Sequence, residues 1–107
     1  MKDIKTKVQQ RLKDLIIAAL NEAVNENVIN IEEIPDFYIE VPQDKEHGDF
    51  AANIAMILAR QAKMPPRKIG EAIMERIKKD AFIEKVEVAG PGFINFYLAP
   101  TWANELI

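Results

Sequence analysis

The sequence predicts a single small domain of the α+β class, in which amphipathic helices accompany an antiparallel sheet. Three stretches repeat apolar residues at spacings of three and four, which is the period of a helix with one buried face. Near the end of the chain, two alternating stretches flank Gly90-Pro91-Gly92, a pattern typical of two strands joined by a tight turn. A length of 107 residues with 49% apolar composition suits an ordinary globular domain.

The first predicted element is a helix over residues 4–24, because apolar residues return every third or fourth position and the other positions are mostly polar. The pattern weakens after Asn25, and Pro35 ends any helical run. Alternation of apolar and polar residues then predicts a strand over residues 37–41, which Pro42 closes.

Two more helices are predicted in the middle of the chain. A polar loop over residues 43–48 leads to the second helix, residues 50–63, with Asp49 as its candidate N-cap. Pro65-Pro66 breaks the chain and begins the third helix, since proline is tolerated in a first helical turn. We expect this helix to extend to Lys78 and Lys79, because cations are favourable at a helix C-terminus.

A hairpin over residues 83–98 is the last complete predicted element. On its second strand Ile94, Phe96 and Leu98 share one face, which we expect to be buried. The opposite face, which we expect to be open to solvent, carries an aromatic, an amide and a second aromatic side chain: Phe93, Asn95 and Tyr97.

Two interpretations of this open face follow from the spacing. The turn and its strands can be a plain hairpin with no further role. Alternatively, Phe93 stacks on a flat ligand while Asn95 hydrogen-bonds its edge, which is how proteins read unstacked RNA bases.

Charge is distributed unevenly along the chain. The net charge of -3 argues against a generic nucleic-acid binder, which would be basic overall. Residues 60–79, however, carry seven basic side chains against two acidic ones, whereas residues 21–50 are strongly acidic. The basic stretch can hold a phosphate backbone or can be a solvated helix face, and the sequence alone leaves both open.

The sequence predicts no catalytic residue and no metal site. With no cysteine there is no thiolate ligand or nucleophile, and the single histidine, His47, lies in a charged loop where we expect a structural role or a polar contact. The charged N-terminus does not resemble a signal peptide, and no apolar run is long enough for a membrane span, so we expect a cytoplasmic protein with no membrane partner.

Three segments, in this order and spacing, resemble the N-terminal additional domain of arginyl-tRNA synthetases. They are residues 47–53 (HGDFAAN), 62–69 (AKMPPRKI) and 86–96 (VEVAGPGFINF). The first resembles that family's His-Gly-Asp-aromatic-Ala helix start, and the last its Ala-Gly-Pro-Gly-Phe-Ile-Asn-Phe hairpin. The resemblance spans essentially the whole chain and implies an α+β domain with helices packed on one face of an antiparallel sheet.

The resemblance also implies a function, which is docking of the D-loop at the outer corner, or elbow, of tRNA. Carried over to this chain, the family's base-contacting positions are Phe93 and Asn95. Members of the family differ at the residue before the Gly-Pro pair, and Ala89 has no hydrogen-bonding side chain for any polar contact that relatives make there. The full predicted RNA-binding set adds one hairpin aromatic, one turn glycine and two cations of the basic stretch: Tyr97, Gly90, Arg67 and Lys68.

The family's ATP-binding signatures are missing from these 107 residues, so we expect the chain itself to be non-catalytic and to hold no cofactor. The resemblance implies a longer parent enzyme that joins arginine to tRNA with ATP. We therefore expect a monomeric docking domain over residues 1–99, followed over residues 100–107 by the start of a helix that leads to a catalytic region. The expected partners are tRNA and that catalytic region of the same chain.

Two other functions are compatible with parts of the pattern. In the first, the chain is a structural domain that docks on its own catalytic region through Trp102 and the third helix, without reading RNA. Trp102 is expected either to anchor the domain or to begin the core of the next helix. In the second, the chain is an independent small enzyme, but no nucleophile, metal cluster or acid–base pair can be named for it.

Overall fold

The computed structural model describes residues 3–78 and 80–100 and confirms the α+β class. Thr101 and Trp102, where a further helix is predicted to start, lie outside the described residues, as does Lys79. The helices are α1 (Ile4–Asn25), α2 (Ile54–Ala62) and α3 (Pro66–Arg76), and the strands are β1 (Ile39–Glu40), β2 (Phe50–Ala52), β3 (Ile83–Ala89) and β4 (Phe93–Leu98), with a 3₁₀ turn at Lys45–His47.

The four strands form one antiparallel sheet in the order β1-β2-β4-β3. Phe96 occupies its centre, opposite Phe50 on one side and Val86 on the other. The helices pack on the sheet face that carries Phe96, and Gly70 of α3 lies directly against the Val88 side chain of β3.

One hydrophobic core lies between the helices and this sheet face. The predicted core face of β4 is confirmed, because Ile94, Phe96 and Leu98 are all buried. Each helix contributes buried side chains of the apolar stripe that its periodicity predicts, but Ile57, which the pattern assigns to the stripe of α2, is 43% exposed. The fully buried helical side chains include Val8, Leu12, Ile16 and Leu20 of α1, Ile54 and Leu58 of α2, and Ile69 and Ile73 of α3.

The predicted start of the second helix is wrong. Residues 50–52 form β2 instead, paired on both sides with β1 and β4, and α2 begins only at Ile54. Asp49 is not its N-cap: its Oδ2 accepts a hydrogen bond from the backbone N–H of Leu98 at 2.8 Å. Pairing with two strands satisfies the buried backbone of β2, so tertiary contacts override the local helical pattern.

Two predicted boundaries also change. The third helix ends at Arg76 rather than at Lys78 and Lys79, because Ile77 turns to an extended conformation and is buried. The strand predicted over residues 37–41 shrinks to β1, since only Ile39 and Glu40 face partners on the short β2. The outer side of β1 is covered by α1, where the amide of Gln9 donates to the carbonyl of Ile39 at 2.8 Å.

Within residues 3–78 and 80–100, no helix is both long and apolar enough to cross a membrane.

Candidate nucleic-acid interface

A groove of about 590 Å³ lies on the sheet face opposite the helices. The central residues of its lining are Ala51 and Asn95, which are paired across β2 and β4. On one side it is lined by Glu40 at the end of β1 and by the segment that follows, through Pro42, Gln43, Asp44 and His47. On the other side it is lined by the hairpin, through Ala89, Gly90, Pro91 and Phe93.

The segment of residues 42–48, which we call the loop wall, is fastened to β4 at its C-terminal end. Gly48 has a φ of 91°, and a Cβ atom there would lie 2.6 Å from the carbonyl oxygen of Phe96. Only glycine therefore permits this approach. The next residue, Asp49, donates its backbone N–H to the same Phe96 oxygen at 2.8 Å and accepts from the Leu98 N–H through its carboxylate.

Tyr97 reaches the loop wall from the same face of β4. Its hydroxyl donates a hydrogen bond to the backbone carbonyl of Glu46 at 2.6 Å and lies 3.3 Å from Oε1 of Glu87. Burial, followed by the nearby Glu87 carboxylate, raises the pKa of Tyr97, so the phenol keeps its proton. The ammonium of Lys85 lies 4.4 Å from the centre of the ring. Tyr97 does not line the groove.

Asn95 is not open to solvent as the alternation predicts, although it lies in the lining of the groove. Its side chain is only 2% exposed, and its Oδ1 accepts no hydrogen bond from any described residue. A buried acceptor without a donor costs about 1–3 kcal/mol. A ligand that brings an N–H or O–H into the groove would remove that cost.

The hairpin wall is fastened to the beginning of α3. Gly92 packs directly against Pro66, and the guanidinium of Arg67 donates to the carbonyl of Gly90 at 2.7 Å. These contacts fix the turn beside the half-buried Phe93. Lys68 follows Arg67 on α3 and is exposed.

The basic stretch does not form one continuous patch. Arg76 is drawn into an ion pair with Glu26 at the end of α1, with 2.8 Å between Nη2 and Oε1, and its side chain is only 14% exposed. Hydrogen bonding from Arg76 holds the pKa of Glu26 below its ordinary value. Arg76 is therefore engaged by acidic partners of the same chain, while Arg67 and Lys68 remain exposed near the hairpin.

The structure brings together most of the predicted RNA-binding residues. Phe93, Asn95 and Gly90 line the groove, and Arg67 is bonded to its rim. Tyr97 does not line the groove, and its hydroxyl bonds the loop wall at the carbonyl of Glu46.

Sequence reasoning missed the loop-wall side of the groove. Asp44 of the loop wall and Glu40 of the neighbouring β1 give the groove carboxylates, which are hydrogen-bond acceptors and carry negative charge. The only signal for the wall was the motif over residues 47–53, whose Gly48 and Asp49 attach it to β4. Nothing in that motif alone points to a contact with a strand so distant in the chain.

The part of the chain that the structure describes holds no group of three or more histidine, aspartate or glutamate side chains arranged to bind a metal ion.

Comparison with known sequences places this chain among synthetase domains. A family model described as the arginyl tRNA synthetase N terminal domain matches residues 3–98. The arginine–tRNA ligase of Caldanaerobacter subterraneus subsp. tengcongensis is 52% identical over 108 residues, covering 100% of this chain and 19% of the relative. The arginine–tRNA ligase of Desulforamulus reducens is 47% identical over 108 residues, with the same coverage of 100% and 19%.

Solved structures share the fold. The arginyl-tRNA synthetase of Plasmodium falciparum superposes with a TM-score of 0.71 at 17% identity, covering 89% of this chain and 16% of that chain. The Thermus thermophilus arginyl-tRNA synthetase gives a TM-score of 0.62 at 22% identity, covering 85% and 14%. This chain spans about a fifth of the curated relatives it matches, 19% in the two cited. On the family match and the identity to these relatives, the chain belongs to the family of arginyl-tRNA synthetase N-terminal domains.

Proposed function

We propose that this domain docks the D-loop corner of a tRNA and takes one unpaired base into the groove between the loop wall and the hairpin. The observation that carries the proposal is the buried, unpartnered Oδ1 of Asn95 in the groove lining. An exocyclic amino or ring N–H group of a base would supply the missing donor. Phe93, beside it, offers an aromatic surface for stacking.

The charges around the groove suit different positions for the base and for the phosphates of a bound RNA. Glu40 and Asp44 line the groove and would repel a phosphate there, but they accept hydrogen bonds from a neutral base. Arg67 and Lys68 are exposed, and Arg67 is bonded to the rim at Gly90. In this arrangement the base enters the groove and the phosphates remain outside, near the two cations.

The activity of the longer protein is a second part of the proposal. Because the chain spans only 19% of its curated relatives, we propose that ligation of arginine to tRNA with ATP takes place in a catalytic region outside these residues. That region and tRNA would be the partners of this domain. Family membership supports this part.

The test is a binding titration of the 107-residue chain with an arginine tRNA transcript at low salt, comparing Asn95→Ala with the exposed control Asn21→Ala. We expect Asn95→Ala to weaken binding by about 1–3 kcal/mol, because the base loses its hydrogen bond and its fixed position for stacking. The control should bind as the unmodified chain does. Equal affinities for Asn95→Ala and the unmodified chain would contradict the proposal.

A second variant separates binding from folding. Asn95→Leu keeps a similar shape and removes the buried polar group, so urea unfolding should show undiminished stability while tRNA binding is lost. If the unmodified chain binds no tRNA at low salt, and Phe93 is protected from solvent in the full-length protein without RNA, the structural docking function replaces the proposed one.

A further inference from the structure

Tyr97 shares a strand face with Phe93 and Asn95, yet its contacts differ from theirs. Its hydroxyl is committed to the carbonyl of Glu46 at 2.6 Å. Lys85 lies over its ring, 4.4 Å from the centre. Both the polar end and one ring face are thus occupied by the protein, and the residue lies outside the groove lining.

We propose that Tyr97 is a positioning residue for the loop wall and does not itself contact the bound base. Its hydroxyl holds the Glu46 carbonyl, which fixes the 3₁₀ turn Lys45–His47 against the sheet. Asp44 and His47, at either end of this turn, reach the groove from it. This inference rests on the proposed function, because it assigns a role in shaping the same groove.

The other hydrogen bonds described for this turn are local. The Asp44 side chain caps it by accepting from the Glu46 N–H at 3.0 Å, and the His47 N–H donates to the Asp44 carbonyl at 3.0 Å. The attachment at Gly48 and Asp49 holds the C-terminal end of the segment, and a largely solvent-exposed ion pair of 3.4 Å between Lys45 Nζ and Asp49 Oδ1 links the turn to that end. Loss of the Tyr97 hydroxyl should therefore free the turn while leaving the core and β4 in place.

Two substitutions distinguish a Tyr97 whose hydroxyl positions the loop wall from a Tyr97 whose ring stacks on the base. Tyr97→Phe keeps the ring and removes only the hydroxyl, whereas Tyr97→Leu removes both. If the hydroxyl positions the wall, both variants should bind an arginine tRNA transcript about threefold to tenfold more weakly than the unmodified chain. If the ring stacks on the base, Tyr97→Phe should bind normally and only Tyr97→Leu should be impaired, which would overturn the inference.

Tyr38→Phe is the matched control, because it removes the hydroxyl of a tyrosine that is 75% exposed. Amide hydrogen exchange provides a readout that a general loss of stability would not reproduce. In Tyr97→Phe the amides of His47 and Gly48 should exchange faster, while those of α1, such as Leu12, should keep their rates. The control should change neither binding nor exchange.

The remaining outcomes also test the proposed role of Tyr97. Unchanged amide exchange at His47 and Gly48 in Tyr97→Phe would refute the positioning role of Tyr97, whatever the binding result. Faster exchange with unchanged tRNA affinity would refute the link between the wall and binding. If the unmodified chain itself binds no tRNA, the proposed function fails and the inference about tRNA fails with it, whereas the exchange data still show whether Tyr97 holds the turn.

Discussion

At the scale of single residues, the geometry at Gly48 constrains the groove most tightly. Its φ of 91° and ψ of -173° lie in a region that is essentially restricted to glycine. The backbone of β4 passes so close that a Cβ atom would collide with the Phe96 carbonyl. This one position therefore determines whether the loop wall can lie on the sheet at all.

Gly48→Ala should lower the free energy of unfolding by about 2–3 kcal/mol, because it adds both a backbone strain and a steric clash. Gly90→Ala is the matched control: its φ of 55° is also positive, but an added Cβ would make only ordinary contact, at 3.7 Å from Phe93. Its cost should be about 1 kcal/mol. Urea unfolding of the two variants measures the difference, and equal costs would show that the approach of Gly48 to β4 is not tight.

Residue-level patterns predicted part of the site correctly. Alternation along β4 separated the buried Ile94 and Phe96 from the groove-facing Phe93 and Asn95, because strand geometry alone sets which side chains share a face. Alternation could not show that Asn95 is buried as well. Its burial depends on tertiary packing, which no local pattern of the strand reports.

At the scale of secondary-structure elements, β2 explains the largest error of prediction. Its three residues are too few to show a period of two, and all three are buried. Phe50-Ala51-Ala52 also continues the apolar pattern of α2 backwards, so a helix is the better local interpretation. Asp49 before it has the chemistry of an N-cap, but the N–H that it serves belongs to Leu98 on β4.

Asp49→Ala should therefore weaken the sheet rather than α2. Removing the carboxylate leaves the Leu98 N–H without its acceptor, and we expect the free energy of unfolding to fall by about 1–3 kcal/mol. Amide exchange at Leu98 should accelerate at the same time. The control is Asp14→Ala, an exposed residue bonded to Gln10 within α1, which should stay within about 0.5 kcal/mol of the unmodified chain. Faster exchange at the start of α2, with Leu98 unchanged, would restore the N-cap interpretation.

At the scale of the whole molecule, ion pairs connect α1 to other segments of the chain, and a side-chain cap holds its first turn. Lys13 pairs with Asp36 in the segment before β1, and Arg76 of α3 pairs with Glu26 at the end of α1. The Asp3 side chain accepts from the Thr6 N–H and caps the start of the helix. Hydrogen bonding from these partners lowers the pKa of all three carboxyl groups in the folded protein.

The chain should therefore lose stability in acid. Because the folded-state pKa values are lowered, the stabilisation is present above the unfolded carboxyl pKa of about 4 and is lost as the pH falls through the folded values. Urea midpoints measured between about pH 6 and about pH 2 should fall across this window. A Glu26→Gln, Asp36→Asn double variant should show a shallower fall than the exposed control Glu84→Gln. Identical pH profiles would mean that these pairs do not contribute.

The overall class of the molecule was predictable because it depends on summed periodicity, and the family was predictable because three separated motifs had to agree. The order of strands was not. It depends on the insertion of β2 between β1 and β4, and the chain carries no periodic signal for that element.

The same strand order has a consequence for how the groove comes into being. The β3–β4 hairpin joins residues that are close in the chain, whereas β2 must find β4 across the whole α2–α3 segment, pairing Phe50 with Phe96. Non-local pairings of this kind carry the larger entropic cost of loop closure and tend to form late in folding. The groove lies across that pairing, so it should be completed among the last steps of folding. A ligand that binds the groove would therefore stabilise only chains that have finished folding.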